Sequence, residues 1–104
     1  MEAAEALNAL FSAVAAPDRR ATLEMLLRRE VDNRPMPSIT EVADELELSR
    51  FAASRHLGIL QSTALVEPIA SGYKTLQRLN RSRLILLEDW LVPFLDFDDT
   101  THPQ

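Results

Sequence analysis

The 104-residue chain has no cysteine. Disulfides, thiolate metal sites and cysteine-based redox sensing are therefore excluded, and the redox compartment stays open. Two glycines are too few for a glycine-rich loop that holds phosphate closely. Serine, histidine and aspartate are present, but no strained nucleophile elbow or histidine–carboxylate pairing accompanies them, so no enzyme is expected. No apolar run approaches the roughly 20 residues of a membrane span. The opening Met-Glu-Ala-Ala-Glu is acidic, unlike a leader. A cytoplasmic protein with no membrane partner is the expectation.

The composition is 46% hydrophobic and 26% charged, which fits one small domain, expected over residues 1–95, with a polar flexible tail at 96–104. A chain of this size has little core to spare, so extra apolar surface implies association. Net charge is −5, yet Ser49 to Arg83 carries Arg50, Arg55, Lys74, Arg78, Arg81 and Arg83 against Glu67 alone. That third is +5 and the remainder −10. A positive patch on an acidic body fits a molecule with one DNA-facing surface.

Along the chain, Ala3, Leu7, Leu10 and Val14 form an apolar stripe with Ala4 and Phe11 beside it, predicting a first helix. Pro17 suits the start of a second, with Asp18 in its first turn, Leu23, Leu26 and Leu27 inward, and an end near Arg28 to Glu30. Val31 to Pro37 reads as a loop, and Met36 to Ile39 as a short edge segment. Thr40 is the expected N-cap of a third helix with Val42, Ala43 and Leu46 inward. A three-residue turn leads to Ser49, a second cap, and to a helix whose Ala53, Leu57 and Leu60 share a face. Arg50, Phe51, Ser54 and Arg55 fall on the other side. Two short helices so joined form a helix-turn-helix.

Leu65 to Ala70 and Tyr73 to Leu79 then read as a hairpin turning at Ser71-Gly72, with Pro68 confining its strand to an edge. Its register is ambiguous, because Leu76 and Leu79 differ in parity. A hairpin after a helix-turn-helix is a wing. Asn80 is the expected cap of a last helix that is apolar all round at Leu84 to Leu87 and continues through Trp90, Leu91, Phe94 and Leu95. One small domain cannot wrap such a helix, so a second copy is expected to cover it. Pro93 should kink or end it. No internal repeat is present.

In order, these stretches resemble the winged helix-turn-helix regulators of the ArsR type. Ala16-Pro17-Asp18-Arg19-Arg20 is similar to that family's A-x-P-x-R motif, and Ser38 to Leu46 to its positioning helix. Leu48 to Leu60 resembles its L-S-x-x-x-x-S-R-H-L-x-x-L recognition helix, and Gly72 to Asn80 its wing exit. The resemblance spans roughly Ala3 to Leu95. It implies a mainly α fold with a small β-hairpin (α+β): about five helices plus a two- or three-stranded wing sheet. It further implies a homodimeric repressor of double-stranded DNA that inserts the 49–61 helix in the major groove at an inverted repeat. The chain departs from the pattern at Ala64, where the turn usually has glycine, and at Phe51 and Gly58, usually polar. The wing tip, Ala70-Ser71-Gly72-Tyr73, also has fewer basic residues than is common.

The residues expected at DNA are Ser49, Arg50, Phe51, Ser54, Arg55, Tyr73 and Lys74. Phe51 has two readings, contact with a thymine methyl or packing on the preceding helix, the latter favoured. The dimer interface is expected at Leu7, Leu10, Phe11, Leu84, Leu87, Trp90, Leu91 and Phe94. His56, beside the apolar face of its helix, is expected to be a hydrogen-bonded structural residue. His102 in the tail beside Asp98 is weak ground for a metal, and no metal or cofactor is expected. Arg78, Arg81 and Arg83 either approach phosphates or complement the acidic body. Arg19 and Arg20 either pair with acids of the third helix or touch DNA. Without cysteine, an effector is expected to be a small organic molecule at the dimer interface. The alternative to a DNA-binding regulator is a winged-helix protein-interaction module, motivated by the −5 charge and the apolar Phe51.

Overall fold

In a computed structural model, residues 2–96 are described, and the tail at 97–104, with His102 and Asp98, lies outside the described residues. The elements are α1 (Glu2–Val14), α2 (Pro17–Val31), α3 (Ile39–Leu46), α4 (Arg50–Ser62), β1 (Val66–Ser71), β2 (Lys74–Leu79) and α5 (Arg81–Leu95). The strands form one antiparallel pair, from Val66↔Leu79 to Ser71↔Lys74. Mainly helical with a hairpin, this is the expected fold class.

The core gathers Leu10, Ala13, Met25, Leu26, Val42, Ala43, Ala53, Leu57, Leu60, Leu65, Val66 and Leu79. Every helix but α5 contributes, and α5 has no buried residue of its own. Its Leu84 and Leu87 only lean on the core. The radius of gyration is 16.3 Å, against about 13 Å for a compact chain of this length. The core thus belongs to α1–α4 and the hairpin, and α5 stands against it with one side open.

Local signals explain most boundaries. Pro17 opens α2 without a side-chain cap, Asp18 lies in the first turn, and Arg28 and Arg29 lie in the last. The cap of α3 is Ser38, not Thr40. Ser38 accepts from the Glu41 amide at 3.3 Å while Glu41 accepts from the Ser38 amide at 2.8 Å. This reciprocal pair satisfies two amides that the first turn leaves free, which a cap at Thr40 would not. Ser49 caps α4 as expected, accepting from Ala52 N at 3.0 Å.

Two other expectations change, and Pro93 is settled in part. On α2 the buried face is Thr22, Met25, Leu26 and Arg29, whereas Leu27 is 40% exposed. Arg29 is held by the Pro35 carbonyl and Glu45, which lets a cation lie on the buried face. Asn80 occupies the cap position of α5 without capping it. Its amide is committed to the Ala64 carbonyl. Of the two outcomes expected at Pro93, a kink or an end, it does not end the helix, which runs on to Leu95. So near the C-terminus, proline removes only one amide, and that from an exposed turn.

The wing register is set by a polar residue. Gln77 is fully buried and accepts from Gln61 at 2.8 Å. It shares parity with Leu79, while Leu76 lies on the other face and bridges to Ser38. That bridge, with Gln77 N donating to Pro37 O, is the short edge segment expected before α3. The loop is Gly72-Tyr73, one residue later than Ser71-Gly72, with Gly72 at φ 64°. Glycine in first place is what a two-residue hairpin loop of this kind requires.

Candidate nucleic-acid interface

The candidate edge is built by α3, α4 and the wing. Packing Ala53, Leu57 and Leu60 inward turns Arg50, Phe51, Ser54 and Arg55 outward along one side of α4, all four exposed. Phe51 is 78% exposed and therefore does not pack on the preceding helix. Ser49 is exposed as well, its hydroxyl oxygen already engaged as the cap.

The wing brings its tip to the same edge. Arg50 at the start of α4, Tyr73 and Lys74 at the tip, and Ser38, Thr40 and Thr75 line one open cleft of about 470 Å³. Ile39 and Glu41 complete the wall. Two cations and four hydroxyls, counting the Tyr73 phenol, thus converge from the helix-turn-helix and from the wing. Glu41 adds a carboxylate, held by the Ser38 amide and turned to the cap. That backbone hydrogen bond lowers its pKa from the usual glutamate value, against a smaller opposing effect of burial, with Arg29 and Lys74 adding minor help.

The basic third divides into engaged and free charges. Arg78 donates to Glu67 at 3.0 and 2.6 Å, across a β1–β2 pair. Arg81 lies 3.8 Å from Glu30. Arg83 donates to the Thr63 carbonyl at 3.1 Å. Among the described residues, Arg50, Arg55 and Lys74 have no ion pair. Within the basic third these three are the exposed cations outside any ion pair, with the Glu41 carboxylate sharing the cleft of Arg50 and Lys74.

Arg19 and Arg20 neither pair with α3 nor face outward freely. Arg19 donates to the Ala13 and Ser12 carbonyls at 2.7 and 3.2 Å, and Arg20 to Val14 O at 2.7 Å. Cations at the end of α1 meet carbonyls that the helix leaves unpaired. The legible signal was their place just after a helix end. His56 is 7% exposed and hydrogen-bonded, the structural role expected of it. Among the described residues no group of three or more His, Asp or Glu could hold a metal ion, and no helix is long and apolar enough to cross a membrane.

The expected dimer residues separate into two sets. Leu10 is fully buried in the chain's own core and is not available to a partner. Leu7, Leu84 and Leu87 are half-buried. Phe11, Trp90, Leu91 and Phe94 are exposed and lie on α1 and α5. They are joined by Phe11–Trp90 edge contact, centroids 5.2 Å apart, and by Trp90–Phe94 at 4.8 Å. Ile85, Leu86, Val92 and Leu95 enlarge this apolar surface.

No family model and no curated protein matches the chain. Solved structures do. An ArsR-like transcriptional regulator from Rhodococcus sp. RHA1 is 26% identical, with TM-score 0.77 over 90% of this chain and 83% of that one. Reduced HlyU from Vibrio cholerae is 25% identical, with TM-score 0.65 over 88% and 90%. A homodimeric winged helix-turn-helix DNA-binding domain from Mycobacterium bovis is 18% identical, with TM-score 0.68 over 96% and 89%. The chain therefore has the winged helix-turn-helix fold of the ArsR-family transcriptional regulators, as its motifs imply.

Proposed function

We propose that the protein is a sequence-specific DNA-binding transcriptional regulator and acts as a homodimeric repressor at an inverted repeat. The observation that carries this reading is the cleft where Arg50, Tyr73 and Lys74 meet the hydroxyls of Ser38, Thr40 and Thr75. Unpaired cations and hydroxyls suit a phosphate backbone. The exposed face of α4 beside them suits a major groove, with Arg55 reading a base edge and Phe51 a thymine methyl. Ser49 and Ser54 would bond phosphates. The domain at residues 1–95 would dimerise through the α1–α5 surface, since aromatic residues left open on two adjacent helices fit a second copy. Half-sites would lie about 10 bp apart, centre to centre.

A transcriptional regulator and a homodimeric DNA-binding domain of the same fold support this reading. An apolar cavity of about 260 Å³ between α2, β2 and α5, lined by Leu23, Leu27, Leu79 and Leu84 with Glu24 and Arg81, has room for a small organic effector beside the dimer face. The test is selection of bound fragments from genomic DNA, then titration of the enriched site at two salt concentrations. An enriched palindromic motif, bound less tightly at high salt and by Arg55→Ala, is expected. Selection that enriches no motif would instead favour a protein-interaction module.

A further inference from the structure

The first turn of α2 ties together two helices with different tasks. The Arg19 guanidinium holds the end of α1 through the Ser12 and Ala13 carbonyls. Its remaining nitrogen, Nη1, lies 3.3 Å from Nδ1 of His56, on the inner side of α4. A guanidinium has donors only, so Nδ1 must accept and the ring proton sits on Nε2. Nε2 faces the Asp18 carboxylate at 3.6 Å. Adjacent residues of α2 thus face both nitrogens of a buried imidazole, Arg19 in a hydrogen bond and Asp18 from just beyond hydrogen-bond distance. A directional bond such as that from Arg19 restrains a ring's orientation, which apolar packing alone does not.

The other end of the connection is the apolar surface. Phe11 meets Trp90 of α5, and Ser12 and Ala13 follow Phe11 directly. A continuous route runs from that surface through the last turn of α1 and Arg19 to His56 on α4. We infer that Arg19 and His56 are positioning residues that set the angle of α4 against α1, and so the separation of two recognition helices in a dimer. This rests on the proposed DNA-binding reading. One base pair changes half-site separation by about 3.4 Å, so a rigid link makes the protein selective for half-site spacing as well as for sequence.

The test uses the full chain and three variants. His56→Leu fills the space without ring nitrogens, Arg19→Met removes the guanidinium, and His56→Asn keeps an acceptor near the place of Nδ1. Amide exchange without DNA is compared between α4 and the pair α1 and α5. Affinity is measured for the selected site and for the same site with one base pair inserted or deleted between half-sites. In the first two variants exchange in α4 should rise about tenfold relative to α1 and α5. The preference for correct spacing should fall about tenfold, and His56→Asn should restore most of both. In the unmodified protein, nitrogen NMR should show His56 with its proton on Nε2.

Unchanged α4 exchange in both variants overturns the inference, as does a uniform rise across all helices without rescue by asparagine. Unchanged spacing preference with loosened α4 overturns its second half. If the unmodified chain selects no DNA, the DNA-binding reading falls, together with the spacing claim built on it. The exchange measurements still decide whether Arg19 and His56 hold α4.

Discussion

Asn80 donates its side-chain amide to the carbonyl of Ala64 at 2.9 Å, joining the end of the wing to the turn after α4. That turn needs a left-handed residue, and Ala64 supplies it at φ 62°. The Leu65 amide bonds back to Leu60 O, and the Asn80 amide to Leu65 O. The turn is therefore held from both sides in the conformation that glycine adopts at no steric cost.

Replacing Ala64 with glycine should stabilise the protein. The left-handed conformation costs alanine about 1–2 kcal/mol, and glycine returns about 0.4–1 kcal/mol as unfolded-chain entropy. The difference favours Ala64→Gly by up to about 1.5 kcal/mol. Asn80→Ala should destabilise by about 1–2 kcal/mol, since the Ala64 carbonyl loses its side-chain donor. Urea denaturation of the two variants measures both signs. A destabilised glycine variant would mean that alanine is not strained there.

Free and engaged arginines should behave differently toward DNA. Arg55 is unpaired and exposed on the outer face of α4, so Arg55→Ala should cost about 1–3 kcal/mol at the selected site and relax its sequence preference. Lys74→Ala should weaken all sequences alike and reduce the salt slope by about one. Arg78 already gives two donors to Glu67, so Arg78→Ala should change affinity much less. Titrations at several salt concentrations separate the three. Equal losses at Arg78 and Arg55 would contradict the division of charges.

Which features could be read in advance follows from how local they are. The cap at Ser49, the inward face of α4 and the proline start of α2 each depend on a few neighbouring residues, and all appear where expected. The Ser38 cap was equally local, written in Ser38-Ile39-Thr40-Glu41, and was missed because Thr40 stands nearer the apolar pattern. Gln77 and Arg29 were out of reach. Their burial depends on Gln61, Glu45 and the Pro35 carbonyl, which no periodicity couples to them. A stripe on a helix does not say whose core it enters, so from sequence Leu10 belongs equally to the dimer face and to the chain's own core, where it lies. The cleft of the candidate site is likewise a product of the hairpin folding Lys74 toward Arg50.

Glu41 makes α3 sensitive to acid. Its folded pKa is lowered, chiefly by the hydrogen bond from the Ser38 amide. A lowered carboxylate contributes stability that is present above its unfolded pKa and lost as pH falls through the folded one. Wild-type stability should therefore decline as pH drops below the ordinary glutamate range. Glu41→Gln, which keeps an acceptor but no charge, should be less stable at neutral pH and flatter on the acid side. Denaturant midpoints from pH 7 downward compare the slopes. Parallel curves would remove Glu41 from the acid response.

The apolar surface of α1 and α5 predicts its own disruption. Phe94 is 64% exposed and Trp90 46%, and each touches only neighbours on this surface in the aromatic contacts described. An aspartate at position 94 would bury a charge without a partner in a dimer, yet meet only water in the monomer. Phe94→Asp should thus leave the monomer folded, since no core residue lies on α5, and shift the dimer toward monomer. Sedimentation velocity reads the assembly and circular dichroism the fold. Affinity for a two-half-site operator should fall with dimer loss, while affinity for a single half-site should stay nearly unchanged, because Arg50, Arg55 and Lys74 stand away from this surface on α4 and the wing. Loss of helix content would instead show that α5 supports the monomer, and unchanged sedimentation would place the dimer contact elsewhere.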